Sequence, residues 1–276
     1  MAIDLHGGPR SSWLTWASGA PVRIGYRAPG RSWMYTIAVP RPADLAARHA
    51  VLNQWDLLTP LGFEAGDPSR DAVDMPEDPD AARRVERRLA EAGIGPGDPL
   101  IVLHVSAGNP FRRWPADHFA TLVAELARRD PRRRFMLTSG PSDVDAAHAI
   151  VERIQACSVP ASAVSHRQFD VGELRALTGR AAVYIGGDSG PLHIAATTGT
   201  PIVAVFGPTL AERSMPWRDR GWFAEAVDAG TLPCRPCRQR TCVPGDFRCL
   251  TRIAPEQVAA ATERALMHSG SSRLRA

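Results

Sequence analysis

The chain has 276 residues, a formal net charge of +4, and 44% hydrophobic against 22% charged residues, the profile of a soluble globular protein with room for one large or two medium domains. All 33 basic residues are arginine, which excludes a Schiff-base lysine and a Walker-type phosphate lysine. Any phosphate must therefore be held by Arg, His, hydroxyl or backbone N–H groups. No apolar run is long enough to span a bilayer. The N-terminus carries Asp4, His6 and Arg10 in place of a signal-peptide core, so a cytoplasmic location is expected. Clusters such as Arg132-Arg133-Arg134 read as solvated surface, and the modest charge gives no expectation of a nucleic-acid partner.

The first block, 1–64, reads as α/β. Ala2-Ile3-Asp4-Leu5 is a strand, Ser11 to Ala17 helical, Val22 to Tyr26 extended, and Leu45 to Leu58 helical again. In Asp4-Leu5-His6-Gly7-Gly8-Pro9-Arg10-Ser11 the strand ends and a helix starts. It presents His6, Arg10 or Ser11 to a cleft, or is an ordinary turn capped by Ser11 or Ser12. Residues 65–98 are rich in Pro, Asp, Arg and Gly around one polar helix, Pro79 to Ala92, and read as an interdomain connection.

The block 99–276 is cleaner. Leu100 to Val105 is a buried strand, and Pro115 opens a helix with Phe119, Leu122, Val123 and Leu126 on one face. Phe135 to Thr138 is a strand, and Asp143 to Ile154 and Val171 to Leu177 are helices. Next come a strand at Ala182 to Ile185, a short helix from Pro191 to Thr198, and a strand at Ile202 to Phe206. A last helix runs from about Pro255 to Met267. Alternating strands and helices imply parallel sheets covered on both faces.

Two loops at strand ends carry polar chemistry. Asp188-Ser189-Gly190-Pro191-Leu192-His193 opens a helix, whose free N–H groups suit a phosphate. His193 stands one turn inside, facing the same ligand or buried as a core histidine. Asp188 accepts hydrogen bonds from the loop backbone or from a sugar hydroxyl, since carboxylate and phosphate repel. The loop Ser106 to Pro115 is a second contact point, where Arg112 could pair with a diphosphate. The alternative is a solvated Arg112-Arg113 pair, with Trp114 serving packing. No G-x-G-x-x-G follows a strand, which disfavours a nicotinamide dehydrogenase.

Four of the five cysteines, Cys234, Cys237, Cys242 and Cys249, fall within 16 residues. That density fits a structural tetrahedral thiolate site for zinc or iron, with four reduced thiols as the alternative.

In this order, IDLHGGPRS with IGY, SAGNPFRRWPADHF, GGDSGPLHIAATTGTPIVAVFGPT and CRPCRQRTCVPGDFRCL resemble glycosyltransferase family 9, the ADP-heptose:lipopolysaccharide heptosyltransferases. The resemblance covers nearly the whole chain. It implies a GT-B architecture of two Rossmann-like domains with parallel sheets facing a cleft. Residues 1–64 would be a partial acceptor-side domain and 99–276 the nucleotide-sugar domain. The latter would carry the cysteine-rich loop 234–249 and a final helix returning to the first domain.

The implied reaction is inverting transfer of a heptose or related sugar from a nucleotide diphosphate donor to a lipopolysaccharide core or other glycan. No cofactor is needed for the chemistry. By match, Ser106, Arg112, Asp188, Ser189, Gly190 and His193 contact the donor, and Arg112 and His193 stabilise the leaving group. Arg112 stands where the family has lysine. His6 and Arg10 lie on the acceptor side. The family begins with further α/β elements and a Gly-Asp loop whose aspartate is the presumed general base. This chain starts at the IDLHG strand, so the base is expected in an upstream segment. The place of work is the cytoplasm, at the inner face of the membrane, with peripheral contact. The rival reading is a non-catalytic nucleotide- or glycan-binding remnant.

Overall fold

The computed structural model describes residues 1–41, 48–237 and 239–273. The chain divides into two compact units, residues 1–71 with 212–214, and residues 72–211 with 215–276.

The first unit holds β1 (Ala2–Asp4), α1 (Pro9–Ala17), β2 (Arg23–Tyr26), β3 (Ile37–Val39) and α2 (Ala50–Trp55). Its strands form a parallel sheet in the order β1-β2-β3. The core is small, with Ile24, Tyr26 and Leu57 buried together. Helix α1 begins at Pro9, earlier than the sequence suggests, because proline suits the first helical position. Gly8 is its N-cap and makes no side-chain cap bond. Ser11 and Ser12 therefore do not cap: they lie inside the helix and donate to Asp4 and to the Gly8 carbonyl. The helix expected over 45–58 is observed as α2 alone, and residues 45–47 of that expectation lie outside the described residues.

The second unit begins with α3 (Pro79–Glu91), so the polar segment of the expected connection is a packed helix. Asp78 caps it through the Asp80 N–H, Pro79 opens it, and Ala81, Val85 and Leu89 form its buried stripe. Next come β4 (Leu100–His104), α4 (Ala116–Arg129), β5 (Arg134–Thr138), α5 (Val144–Ala156), β6 (Val164–Arg167) and α6 (Val171–Arg180). Then β7 (Val183–Gly187), α7 (Gly190–Ala195), β8 (Ile202–Phe206), α8 (Ala211–Ser214), β9 (Ala224–Asp228), α9 (Arg248–Thr251) and α10 (Pro255–Arg273) complete the chain, residues 212–214 of α8 belonging to the first unit.

The sheet is all parallel, in the order β6-β5-β4-β7-β8-β9. Side chains alternate between its faces as the two-residue strand period requires. Leu100, Val102, Tyr184, Ile202, Ala204 and Phe206 pack with residues of α3, α6 and α7 on one face. Ile101, Leu103, Val183, Ile185, Val203 and Val205 pack with those of α4, α5 and α10 on the other. The expected stripe Phe119, Leu122, Val123 and Leu126 is the buried face of α4. Helix α10 packs on α4 and on β7, β8 and β9. Among the described residues no helix is long and apolar enough to cross a membrane.

Candidate functional site

Chain connectivity runs outward in opposite directions from the central pair: β4, β5, β6 on one side and β7, β8, β9 on the other. In an open α/β sheet this reversal leaves a crevice at the carboxyl ends of the strands, where ligands bind. The two loops bordering it follow β4 and β7, and they carry the residues singled out from the sequence.

After β4, Asn109 caps a short turn by accepting from the Phe111 N–H, which brings Arg112 onto the crevice. After β7, Gly187 lets the two loops approach: a Cβ there would stand 3.3 Å from the Arg112 carbonyl oxygen. The Arg112 guanidinium reaches across, donating from Nη1 to the Asp188 carbonyl oxygen at 3.0 Å. The same nitrogen stands 3.2 Å from Asp188 Oδ2. Asp188 is buried, and its Oδ2 also accepts from Thr209 Oγ1 at 2.7 Å. Its carboxylate thus orients the loop and the arginine. His193 does not join the core: its side chain is 49% exposed, with Nε2 4.0 Å from Asp188 Oδ1. Ser189 is the N-cap of α7, and Gly190 opens onto free space.

Helix α7 stops at Ala195 rather than Thr198, because the Thr197 and Thr198 hydroxyls bond back to the Ile194 and Ala195 carbonyls. With so short a helix the site offers individual N–H groups more than a macrodipole.

The adjacent Arg113 turns the other way. It donates from Nε to the Ala107 carbonyl and pairs with buried Asp143 at 2.7 Å. The indole of Trp114 donates to the Ile253 carbonyl inside the core. Ser106 is buried rather than presented: its hydroxyl accepts from the Gly140 N–H and bonds His104 Nε2 at 3.2 Å. His104 in turn bonds Thr138 Oγ1 at 2.9 Å through Nδ1. Burial pushes the His104 pKa down from 6.5 to about 4, opposed by the charge of Asp143, so the ring is neutral at pH 7. This chain of contacts braces the strand-end loops, and neither His104 nor Thr138 carries a local motif that marks it in the sequence.

In the first unit, Asp4 at the end of β1 is buried and accepts from His6 N, Gly7 N, Ser11 Oγ, Ser12 Oγ and Tyr35 Oη. Burial alone would raise its pKa, but these bonds, led by that of Tyr35, outweigh it and hold the carboxyl below its usual range. Such a group is a poor proton acceptor. His6 is exposed and lines a polar pocket of about 190 Å³ with Tyr26, Arg41, Asn53 and Gln54, among others. Arg10 is exposed on α1.

The four clustered cysteines line one pocket of about 420 Å³ together with Phe111, Phe247 and several prolines. Burial raises the Cys249 thiol pKa, and the fields of Cys237, Cys234 and Cys242 add to the rise. Even so, no group of three or more His, Cys, Asp or Glu side chains among the described residues is arranged to hold a metal ion. Cys234, Cys237, Cys242 and Cys249, expected as a zinc or iron staple, share this one pocket and form no disulfide.

Comparisons with known proteins bear on the family and the fold. Lipopolysaccharide heptosyltransferase 3 of Escherichia coli is 31% identical over 71% of this chain and 55% of its own length. The chain therefore spans little more than half of that relative. A glycosyltransferase family 9 structure from Veillonella parvula superposes with a TM-score of 0.75 at 24% identity, covering 96% of this chain and 73% of the other. The E. coli ADP-heptose lipopolysaccharide heptosyltransferase II does so at 0.68 and 18% identity, covering 97% and 76%. Both structures share the parallel α/β fold. Residues 1–247 match the sequence model described as "Glycosyltransferase family 9 (heptosyltransferase)", and the chain belongs to that family of glycosyltransferases.

Proposed function

We propose that this protein transfers a heptose from a nucleotide diphosphate donor, ADP-heptose, to a lipopolysaccharide-core or related glycan acceptor with inversion at the anomeric carbon. The observation that carries the reading is the Arg112–Asp188–His193 constellation at the β4/β7 reversal of a parallel sheet, in a chain of this family.

In the proposed reaction an acceptor hydroxyl oxygen attacks the anomeric carbon. The bond from that carbon to the diphosphate oxygen breaks, and its electron pair leaves with the nucleotide. Arg112 neutralises charge developing on the diphosphate, and His193 lies within reach of the same oxygens. Asp188 fixes the arginine and takes no direct part. Backbone N–H groups at Ser189 and Gly190 add donors. Ser106 supports its loop from within. The hydroxyl proton passes to a base as the new bond forms, and Asp4, held below its usual range by its hydrogen bonds, is a poor candidate for it. His6 and Arg10 belong to the acceptor side, where the pocket at His6 suits a polar sugar. Work at the inner face of the cytoplasmic membrane fits an acceptor carried on lipid.

The second reading is a nucleotide-binding chain without turnover. It is favoured by the saturation of Asp4, the carboxylate of the first unit nearest to a strand end. One assay separates the two: incubation with ADP-heptose and a lipid A–core acceptor, following ADP release and the anomeric configuration of the product. Acceptor-dependent ADP release with inversion supports the transferase. Binding of ADP-heptose with no release at any acceptor concentration supports the second reading, and a retained configuration contradicts the single-displacement step.

A further inference from the structure

The cysteine-rich loop has a task apart from its thiols. It is tied to the loop after β8, which holds Asp188, and to the donor loop after β4. On one side Arg235 donates from Nε and Nη2 to the Thr209 carbonyl at 3.1 and 2.8 Å, and the Cys237 N–H donates to the Pro208 carbonyl at 3.2 Å. Thr209 is the residue whose hydroxyl holds Asp188. On the other side Phe247 packs against Phe111, ring centroids 5.4 Å apart, and Gln239 reaches Arg112 itself.

The Gln239 contact is specific in its chemistry. Its Oε1 accepts from Arg112 Nε at 2.7 Å and from Asn109 Nδ2 at 3.0 Å. Asn109 meanwhile accepts from the Phe111 N–H through Oδ1, so its amide orientation and that of Gln239 are fixed by donor–acceptor logic. A guanidinium has five N–H donors in a rigid plane. Gln239 takes the one on Nε, and Asp188 takes Nη1. Two acceptors at different corners of a plane fix its tilt as well as its position. Among the described residues Nη2 makes no hydrogen bond, so its edge of the plane is left for a ligand. Gln239 itself sits in left-handed backbone at φ 56°, a conformation that non-glycine residues adopt infrequently.

We infer that Gln239 is a positioning residue for Arg112, and that through it the cysteine-rich loop sets the donor site's affinity for a nucleoside diphosphate. The inference rests on the reading of Arg112 as the diphosphate ligand. Its mechanism is preorganisation: the guanidinium is held in its binding pose before the donor arrives, and less ordering is left for the binding step.

The test is a double-mutant cycle on ADP binding by calorimetry, with Gln239→Ala, Arg112→Ala and the pair, and adenosine as a phosphate-free control. Gln239→Ala alone weakens ADP by about three- to tenfold, the range of one hydrogen bond's net contribution, leaves adenosine affinity unchanged, and leaves the thermal unfolding midpoint in place. In the Arg112→Ala background it has no further effect. Equal weakening by Gln239→Ala with and without Arg112, or equal weakening of ADP and adenosine, would overturn the inference, because the loop would then act on the fold or the nucleoside. If Arg112→Ala weakens ADP and Gln239→Ala does not, the inference fails while the donor site stands. If Arg112→Ala itself leaves ADP affinity unchanged, the donor-site reading fails first and the inference with it.

Discussion

The two units solve the same problem, a parallel sheet needing cover, with opposite chemistry. In the second unit both faces of a six-stranded sheet are sealed by apolar side chains from flanking helices, and residues such as Leu103, Phe135 and Phe206 are wholly buried. In the first, α1 turns polar Ser12 and Thr15 inward and leaves Trp13, Leu14 and Trp16 at 52, 53 and 44% exposure. Its inner face is held by the Asp4 hydrogen bonds, and Trp16 meets another exposed indole, Trp33, edge to face. The second unit is organised by burial on both faces of its sheet, and the first by a small apolar core together with one saturated carboxylate.

The largest effect that tests this contrast is a cavity in the second unit. Phe206→Ala removes a ring sealed among α3, α6 and α7 residues and is expected to cost about 3–5 kcal/mol in urea unfolding. A cost within about 1 kcal/mol would mean that the sheet is not organised by burial.

Next comes acid sensitivity. His104 has a folded pKa of about 4 against 6.5 when free, so between those values the unfolded chain binds the proton that the folded one refuses. Its contribution is full above pH 6.5 and is lost as pH falls toward 4, in total about 3 kcal/mol. Partly buried His166, whose pKa is lowered by burial and then by His148 and Arg167, acts in the same direction. The stability of the second unit should therefore drop over this window, and His104→Gln should flatten the drop. An unchanged slope in His104→Gln would remove His104 from the account.

Asp4→Asn should cost the first unit about 1–3 kcal/mol, since an amide cannot accept from all five donors. It should leave ADP affinity unchanged, because the proposed donor residues lie in the second unit. A loss of ADP affinity in a folded Asp4→Asn variant would break the separation of roles. The smallest effect is expected from Trp16→Ser, within about 0.5 kcal/mol, because the ring is already exposed. A larger cost would show that the Trp16–Trp33 contact holds the unit together.

Much of the second unit was legible because its strands are continuous apolar runs and α4 has a clean 3.6-residue stripe. Strands β6 and β9 were not, because Val-Ser-His-Arg and Ala-Glu-Ala-Val-Asp lie at the two edges of the sheet, where polar residues are tolerated and no apolar run forms. Strand β3 escaped notice for its length, three residues. The sequence of α1 predicts a helix but not its inverted face, since the inward polar residues are explained only by Asp4 and Tyr35, the latter brought in by another element. At the site, Arg112, Asp188 and His193 announced themselves by loops at strand ends. Gln239 could not, because its partner stands 127 residues away in sequence and a lone glutamine between cysteines carries no local signal. The resemblance implies a donor contact for Ser106, whereas its inward turn depends on His104 and Gly140.

Arg112, held by Asp188 at the β4/β7 reversal, is proposed as the main diphosphate ligand of this chain. The direct measurement is calorimetric titration of ADP and of adenosine into the wild-type chain and into Arg112→Ala. Loss of a charge-assisted hydrogen bond of about 1.5–3 kcal/mol should weaken ADP by about one to two orders of magnitude, with adenosine unaffected. Equal ADP affinity in wild type and a folded Arg112→Ala variant would contradict the claim.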